Sequence, residues 1–244
     1  MSPHFLHSIS LRRESVPDWG EYPFSVPAIQ RLETLELHPK VTFFVGENGS
    51  GKSTLLEAIA EKLGFSLEGG TRNSNLAFGE HTFSLTSHLR VSRAAHRPLD
   101  GFFLRAESFY NFATKVDEEY GTWGYGGKKL HEQSHGESFL AAMTHRMGGH
   151  GVYLLDEPEA ALSPQRQLSM LVRLHDLAAD FSQFIIATHS PIILAYPDAW
   201  IYQFSPDGIE RIAYEDTEHF QITRNFLRDP SRMLERLLRK EDEI

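Results

Sequence analysis

The chain has 244 residues, of which 41% are hydrophobic and 23% charged, with 17 Phe and 8 Tyr. That is ample material for a buried core and excludes a disordered chain, while the lack of any Cys excludes disulfides, thiolate metal sites and cysteine nucleophiles. A formal net charge of -9 argues against a uniformly basic nucleic-acid-coating surface, leaving Arg90, Arg93 and Arg97 with Lys128 and Lys129 as material for a local basic groove.

No apolar run approaches the roughly 20 residues of a membrane-spanning helix, and residues 1–13 lack the charged start and apolar core of a signal sequence. The expectation is a cytoplasmic chain, with no membrane insertion, folded as one α/β domain over residues 1–244. The 13 His are scattered, with no pair at metallohydrolase spacing.

Pro17, Gly20, Pro23 and Pro27 punctuate residues 1–31 and predict an irregular lead-in with short extended pieces. Residues 32–37 alternate apolar and polar as a strand does, and residues 41–45 form an unbroken apolar strand of the kind covered on both faces. Next comes Gly46-Glu47-Asn48-Gly49-Ser50-Gly51-Lys52-Ser53, which fits GxxxxGK[ST] completely. Thr54 then opens a helical stripe that runs to residue 63. Strand, glycine-rich loop and helix is the context that this pattern requires. Gly49 and Gly51 let successive amide N–H groups turn inward on phosphate oxygens. Lys52 supplies a point charge at the β and γ phosphates, and Ser53 a hydroxyl for Mg²⁺. Residues 46–54 therefore predict an ATP site.

Residues 65–133 are expected to hold a small antiparallel β part and a reduced helical arm. Within them, strands are predicted at 81–85, 89–91 and 102–104, a helix at 108–119 and a glycine-rich connector at 121–127. A helix starting at Ser134 runs to about residue 147. Residues 152–155 form a second buried strand ending in Asp156 and Glu157. Asp156 is suited to hold Mg²⁺, and Glu157 to orient the attacking water, with Pro158 fixing the turn. A helix follows at 165–179, and then a third buried strand at 184–187 with His189 just beyond its end. Residues 199–204 and 208–212 read as an edge hairpin. The tail places Met233, Leu234, Leu237 and Leu238 on one helical face, expected to pack on the body.

These motifs in this order resemble the ATP-binding-cassette (ABC) ATPases, and in particular their compact soluble branch allied to SMC and OLD-type heads, loosely grouped with AAA ATPases. Ser134-His135-Gly136-Glu137 resembles the LSGGQ signature, Leu154-Leu155-Asp156-Glu157-Pro158-Glu159 the acidic strand, and Thr188-His189-Ser190 the switch-histidine loop. The resemblance implies a P-loop α/β fold on a mixed, mainly parallel sheet, and hydrolysis of Mg-ATP at the interface of a head-to-tail homodimer. Carried over, Lys52, Glu157 and His189 are catalytic, while Ser134, Gly136 and Glu137 meet the γ phosphate of the opposing protomer. Taken alone, S-x-x-E at Ser134 and Glu137 reads first as a self-contained capping box, and the phosphate loop and the spacing to Asp156 reverse that preference.

Several positions depart from the family pattern. Ser163 stands where many members carry Asp, the signature lacks its leading Leu and second Gly, and no Gln follows the 102–104 strand. Glu107 is the substitute candidate for Mg²⁺ and Arg105 for phosphate, with pairing to neighbouring charges the alternative. Tyr22 or Phe24 is the candidate for stacking on adenine. Three uses of hydrolysis fit the sequence. One is nucleic-acid maintenance or phage defence with DNA or RNA as partner. A second is the nucleotide-binding subunit of a membrane transporter, docked on a permease through an apolar groove near residues 109–120. The third is an ATP-gated dimerisation switch for a protein partner.

Overall fold

The computed structural model describes residues 4–67, 69–71, 84–109, 113–114, 117, 129 and 132–238. The strands are β1 (Leu6–Leu11), β2 (Thr34–Glu36), β3 (Val41–Val45), β4 (Gly70–Thr71), β5 (Leu89–Arg93), β6 (Asp100–Arg105), β7 (Gly151–Asp156), β8 (Gln183–Ala187), β9 (Trp200–Ser205) and β10 (Gly208–Ile212). The helices are α1 (Pro27–Gln30), α2 (Lys52–Leu63), α3 (Ser84–His88), α4 (His135–Arg146), α5 (Pro164–Ala179), α6 (Pro191–Leu194), α7 (Glu218–Arg228) and α8 (Pro230–Leu237).

Among the described residues the main sheet has seven strands in the order β10-β9-β3-β8-β7-β6-β4. β9, β3, β8, β7 and β6 run parallel, with β10 and β4 antiparallel at the two edges. The central strands β3, β8 and β7 are almost wholly apolar because both faces are covered, the buried Thr42 of β3 and the strand-end residues Gln183 and Asp156 being the polar exceptions. Phe44, Leu154 and Ile185 face one core with Leu55, Leu56 and Ile59 of α2. Their chain neighbours Phe43, Leu155 and Ile186 face the other, with Phe139 and Met143 of α4 and Met170 and Leu174 of α5.

A smaller antiparallel sheet, in the order β2-β1-β5, closes over the α2 side. The lead-in thus contributes a six-residue central strand, β1, rather than only short extended pieces. Its start is fastened to the main sheet by Gln183, which is fully buried at the head of β8. Gln183 Oε1 accepts from the Leu6 amide at 2.9 Å, and its Nε2 donates to the carbonyls of Leu6 at 2.8 Å and His38 at 2.9 Å. One side-chain amide thereby hydrogen-bonds three buried main-chain groups.

Three expectations are corrected. Leu85 and its neighbours are helical, in α3, because Lys62 Nζ donates to the Thr86 carbonyl at 3.0 Å and the Thr86 hydroxyl to Glu61, tying the segment onto α2; residues 81–83 lie outside the described set. The 199–212 hairpin has only β10 at the edge, since β9 also pairs in parallel with β3. The tail does not pack on the body: Leu234, Leu237 and Leu238 are 42%, 67% and 75% exposed, and Met233 is only half-buried. α8 lies against α7, whose Ile222, Phe226 and Leu227 are also exposed, so the two short helices present their apolar residues outward together. The 121–127 connector, Lys128 and most of the 108–119 helix fall outside the described residues.

Candidate functional site

The phosphate loop leaves the C-terminal end of β3 and enters α2, as the strand, loop and helix pattern requires. Gly46 has φ 143°, and a Cβ there would lie 2.4 Å from the Phe204 carbonyl oxygen. Gly51, at φ 101°, is the left-handed residue before the helix, and a Cβ on it would meet Val26 at 2.9 Å. Both positions admit only glycine in practice. Lys52 is buried, and its Nζ donates to the carbonyls of Gly46 at 2.7 Å and Glu47 at 2.8 Å. Burial pushes the Lys52 ammonium below the usual lysine range, and the charges of Glu157, Asp156 and Glu159 oppose that fall.

Asp156 ends β7, separated from β3 by β8, yet the two strand ends converge. Ser53 Oγ donates to Asp156 Oδ1 at 3.0 Å. Asp156 is buried, and burial raises its carboxyl to about 6, against opposing contributions from the Ser53 hydrogen bond and Arg105. Glu157, the next residue, is left-handed at φ 48° and ψ 50°, a region seldom used outside glycine, asparagine and aspartate. Its amide is held by the Ala187 carbonyl at 2.9 Å, and Pro158 follows. The turn carries the carboxylate away from β7, toward His189.

His189 lies just past β8 with Nε2 3.6 Å from Glu157 Oε1. The switch loop and the acidic loop are joined by Glu159, which accepts from the Thr188 hydroxyl at 2.7 Å and from the His189 amide. Burial raises the Glu159 carboxyl, while those two hydrogen bonds hold it down. A second joint is the Ser190 hydroxyl, which donates to Gln167 Oε1 of α5 at 2.6 Å. The Ser190 oxygen also accepts from the amides of Ile192 and Ile193 as the cap of α6.

A cleft of about 350 Å³ is bordered by Ser53, Arg105, Glu107, Asp156, Glu157 and Ala161. Arg105, at the end of β6, is clamped among carboxylates: Glu57 of α2 at 2.9 Å, Glu107 at 2.7 Å and Asp156 at 3.7 Å. Of the two readings open for Arg105 and Glu107, pairing is the observed one, although Glu107 is exposed and borders the same cleft as Asp156. A second cleft, bordered by Asn48, Gly49, Ser50, Phe204 and Pro206, lies on the other flank of the phosphate loop.

The residues fit Mg-ATP. Ser50 Oγ and His189 Nε2 are buried polar atoms with no hydrogen-bond partner among the described residues, one within the phosphate loop and one facing Glu157. Such atoms are costly unless a ligand or water completes them. Ser53 Oγ and Asp156 Oδ1 are adjacent oxygens of the hard-donor kind that Mg²⁺ takes.

Ser134, Gly136 and Glu137, at the start of α4, are not among the residues that border the cleft beside Asp156, although Gly136 packs against Ala161, which is. Glu137 accepts from the Ser134 amide at 2.9 Å and hydroxyl at 2.7 Å, and Arg166 of α5 reaches both residues at 3.1 Å. A Cβ on Gly136 would meet the Arg166 guanidinium at 2.6 Å and the Ala161 carbonyl at 2.8 Å. The capping interaction is therefore formed within the chain. Of the adenine candidates, Phe24 is ruled out because it is buried edge-on to His88 and Trp19. Tyr22 is 64% exposed, with its hydroxyl 3.1 Å from Thr54 Oγ1. Arg90 and Arg97 are exposed, and Arg93 donates to the Lys62 carbonyl at 2.6 Å, away from the cleft.

Sequence reading missed four contributors. Glu57, Arg166 and Gln167 sit on helices where nothing in the local pattern separates them from surface positions. The fourth, His219, lies in the first turn of α7 with its Nε2 2.9 Å from His189 Nδ1.

Residues 24–117 match a family model described as "AAA domain", and residues 137–195 one described as "AAA domain, putative AbiEii toxin, Type IV TA system". Over 96 residues, 39% of the chain, it is 33% identical to the small ribosomal subunit biogenesis GTPase RsgA of Leuconostoc citreum. Over 25 residues, 10% of the chain, it is 68% identical to the DNA replication and repair protein RecF of Colwellia psychrerythraea. These stretches span 30% and 7% of the two relatives' own lengths. Similar solved structures include the SMC head domain from Thermotoga maritima, at 16% identity and a TM-score of 0.47, covering 85% of this chain and 98% of that one. Another is an ATP-binding cassette of an ABC transporter in its ADP conformation, at 18% identity and a TM-score of 0.47, covering 96% and 99%. The first matched family segment contains the phosphate loop and the second contains the acidic strand and His189. The phosphate loop, the acidic strand and His189 thus lie within two segments that match AAA-domain models, on a mainly parallel sheet in which β8 separates β3 from β7.

Proposed function

We propose that this chain is a cytoplasmic ATPase that binds Mg-ATP at residues 46–54 and hydrolyses it to ADP and phosphate. The observation that carries the reading is the convergence of three strand ends. Lys52 follows β3, Asp156 and Glu157 end β7, and His189 follows β8, with Ser53 Oγ 3.0 Å from Asp156 and His189 3.6 Å from Glu157. On this reading Lys52 leaves its two loop carbonyls for phosphate oxygens, and loop amides meet the β phosphate. Ser53 and Asp156 would hold Mg²⁺, with Glu107 a further oxygen within the same cleft, and the ion when bound would neutralise charge on the phosphate oxygens. Glu157 accepts a proton from the attacking water, and His189 Nε2 donates to the oxygen on which charge develops.

We further propose a head-to-tail homodimer in which Ser134, Gly136 and Glu137 of one protomer meet the γ phosphate bound by the other. Support comes from their not bordering the chain's own cleft and from a capping set that an anion could displace. A role in nucleic-acid maintenance or defence gains support from the RecF match and from the toxin family named in the second family description. Glu157→Gln with Mg-ATP, analysed by solution mass, is the test of the dimer. Twice the protomer mass, reverting when ATP is removed, is expected; a protomer mass throughout contradicts the sandwich.

A further inference from the structure

His189 Nδ1 and His219 Nε2 are 2.9 Å apart, with ring centroids 5.1 Å apart and planes at 56°. Between two imidazole nitrogens at that distance there is one proton, and which ring owns it decides what His189 presents to the cleft. If His219 donates, His189 Nδ1 accepts and its Nε2 carries the hydrogen, aimed at Glu157 Oε1 3.6 Å away. In the reverse arrangement a bare Nε2 lone pair faces a carboxylate. It would also place an N–H on His219 Nδ1, a buried atom with no partner among the described residues. Both arrangements leave one N–H and one lone pair without a partner among the described residues, and the first is selected because it alone turns that N–H, at His189 Nε2, toward the Glu157 carboxylate.

The scaffold around His219 is suited to holding an imidazole still. It sits in the first turn of the 11-residue helix α7, capped by the buried Thr217, whose hydroxyl oxygen accepts from the Phe220 amide at 3.3 Å. The Tyr214 hydroxyl donates to the Pro191 carbonyl at 2.8 Å, joining the approach to α7 onto the helix that follows His189. A helix N-terminus disfavours a protonated ring, and burial and the nearby Lys52 also hold both imidazoles below the usual histidine range.

We propose that His219 is a positioning residue for hydrolysis: it donates from Nε2 to His189 Nδ1 and fixes His189 as the tautomer whose Nε2–H faces Glu157 and the γ phosphate. The proposal rests on the hydrolysis reading above.

Two readouts on the full chain test it. In steady-state turnover, His219→Phe should lower kcat on the order of tenfold to a hundredfold, the scale seen when a histidine's orienting partner is removed, with KM for ATP unchanged. His219→Gln, whose amide can donate from a similar place, should recover most of that loss. Nitrogen NMR of ¹⁵N-histidine-labelled protein, with the His189 signals assigned by their loss in His189→Gln, should show Nδ1 bare and Nε2 protonated in the parent, and a tautomer mixture in His219→Phe. Parental kcat in His219→Phe, or a protonated Nδ1 in the parent, overturns the proposal. Should His219→Phe fail to fold, the parent's nitrogen shifts and the His219→Gln rate decide. If the parent shows no Lys52-dependent hydrolysis, the hydrolysis reading fails alone, because the tautomer is read without turnover.

Discussion

The Ser53 hydroxyl donates to Asp156 Oδ1 across 3.0 Å, joining the first turn of α2 to the end of β7 through the two oxygens best suited to share a magnesium ion. The burial of Asp156 has a cost, because it raises the carboxyl from its ordinary 3.8 to about 6 even against the Ser53 hydrogen bond. The folded chain therefore binds that proton more tightly than the unfolded chain. Stability from this group is full below about pH 4 and is lost as the pH rises through about 6. At pH 8 and without nucleotide, Asp156→Asn should melt on the order of 2–4 °C above the parent, about 1 kcal/mol for a domain of this size. In the same variant Mg²⁺ should no longer strengthen ATP binding. Scanning calorimetry and titration with and without Mg²⁺ check both, and a lower melting point would show that the charge is stabilising instead.

Glu157 is held in a left-handed turn with its carboxylate directed toward His189. Glu157→Gln keeps the shape and removes the base, so turnover should fall by about 10²–10⁴ while nucleotide affinity stays within a few-fold of the parent. Single-turnover phosphate release alongside equilibrium binding separates the two quantities. Equal rates would remove Glu157 from the chemistry.

Arg105 pairs with the buried Glu57 at 2.9 Å, and burial raises the Glu57 carboxyl while Arg105 lowers it. Arg105→Ala should destabilise the fold by about 2–3 kcal/mol at neutral pH, somewhat less than the cost of breaking a fully buried pair because Arg105 is partly exposed. The loss should shrink on acidification, as Glu57 takes up a proton. Denaturant melts at pH 5 and pH 8 report the difference, and an Arg105→Leu, Glu57→Leu double variant should recover most of the loss.

How much of this was legible beforehand can be argued from particular residues. The phosphate loop, the three buried strands and the acidic pair declare themselves because their chemistry is local: a strand covered on both faces must be apolar throughout, and a phosphate cradle needs glycine within a few residues of lysine. Arg105, Glu159 and His219 act through contacts between distant elements, such as the 2.9 Å approach of His219 to His189, and no spacing rule encodes those. The strand expected at 81–85 gives way to helix at Ser84 and Leu85 because ties to α2 outweigh local propensity. The tail was misplaced for the opposite reason: its apolar stripe was legible, but a stripe does not say what it faces.

That tail supports a further expectation. Leu237→Ser and Leu238→Ser should each change stability by no more than about 0.5 kcal/mol, because neither side chain is buried. Thermal melts check this, and a loss of several degrees would mean that α8 packs on the body after all.

The most direct test of the whole account is phosphate release from Mg-ATP by the parent chain and by Lys52→Ala under identical conditions. The account predicts Mg²⁺-dependent release by the parent and essentially none by the variant, with ATP affinity also lost. Equal release from both would contradict it, since the amide-lined loop would then not be where ATP is held.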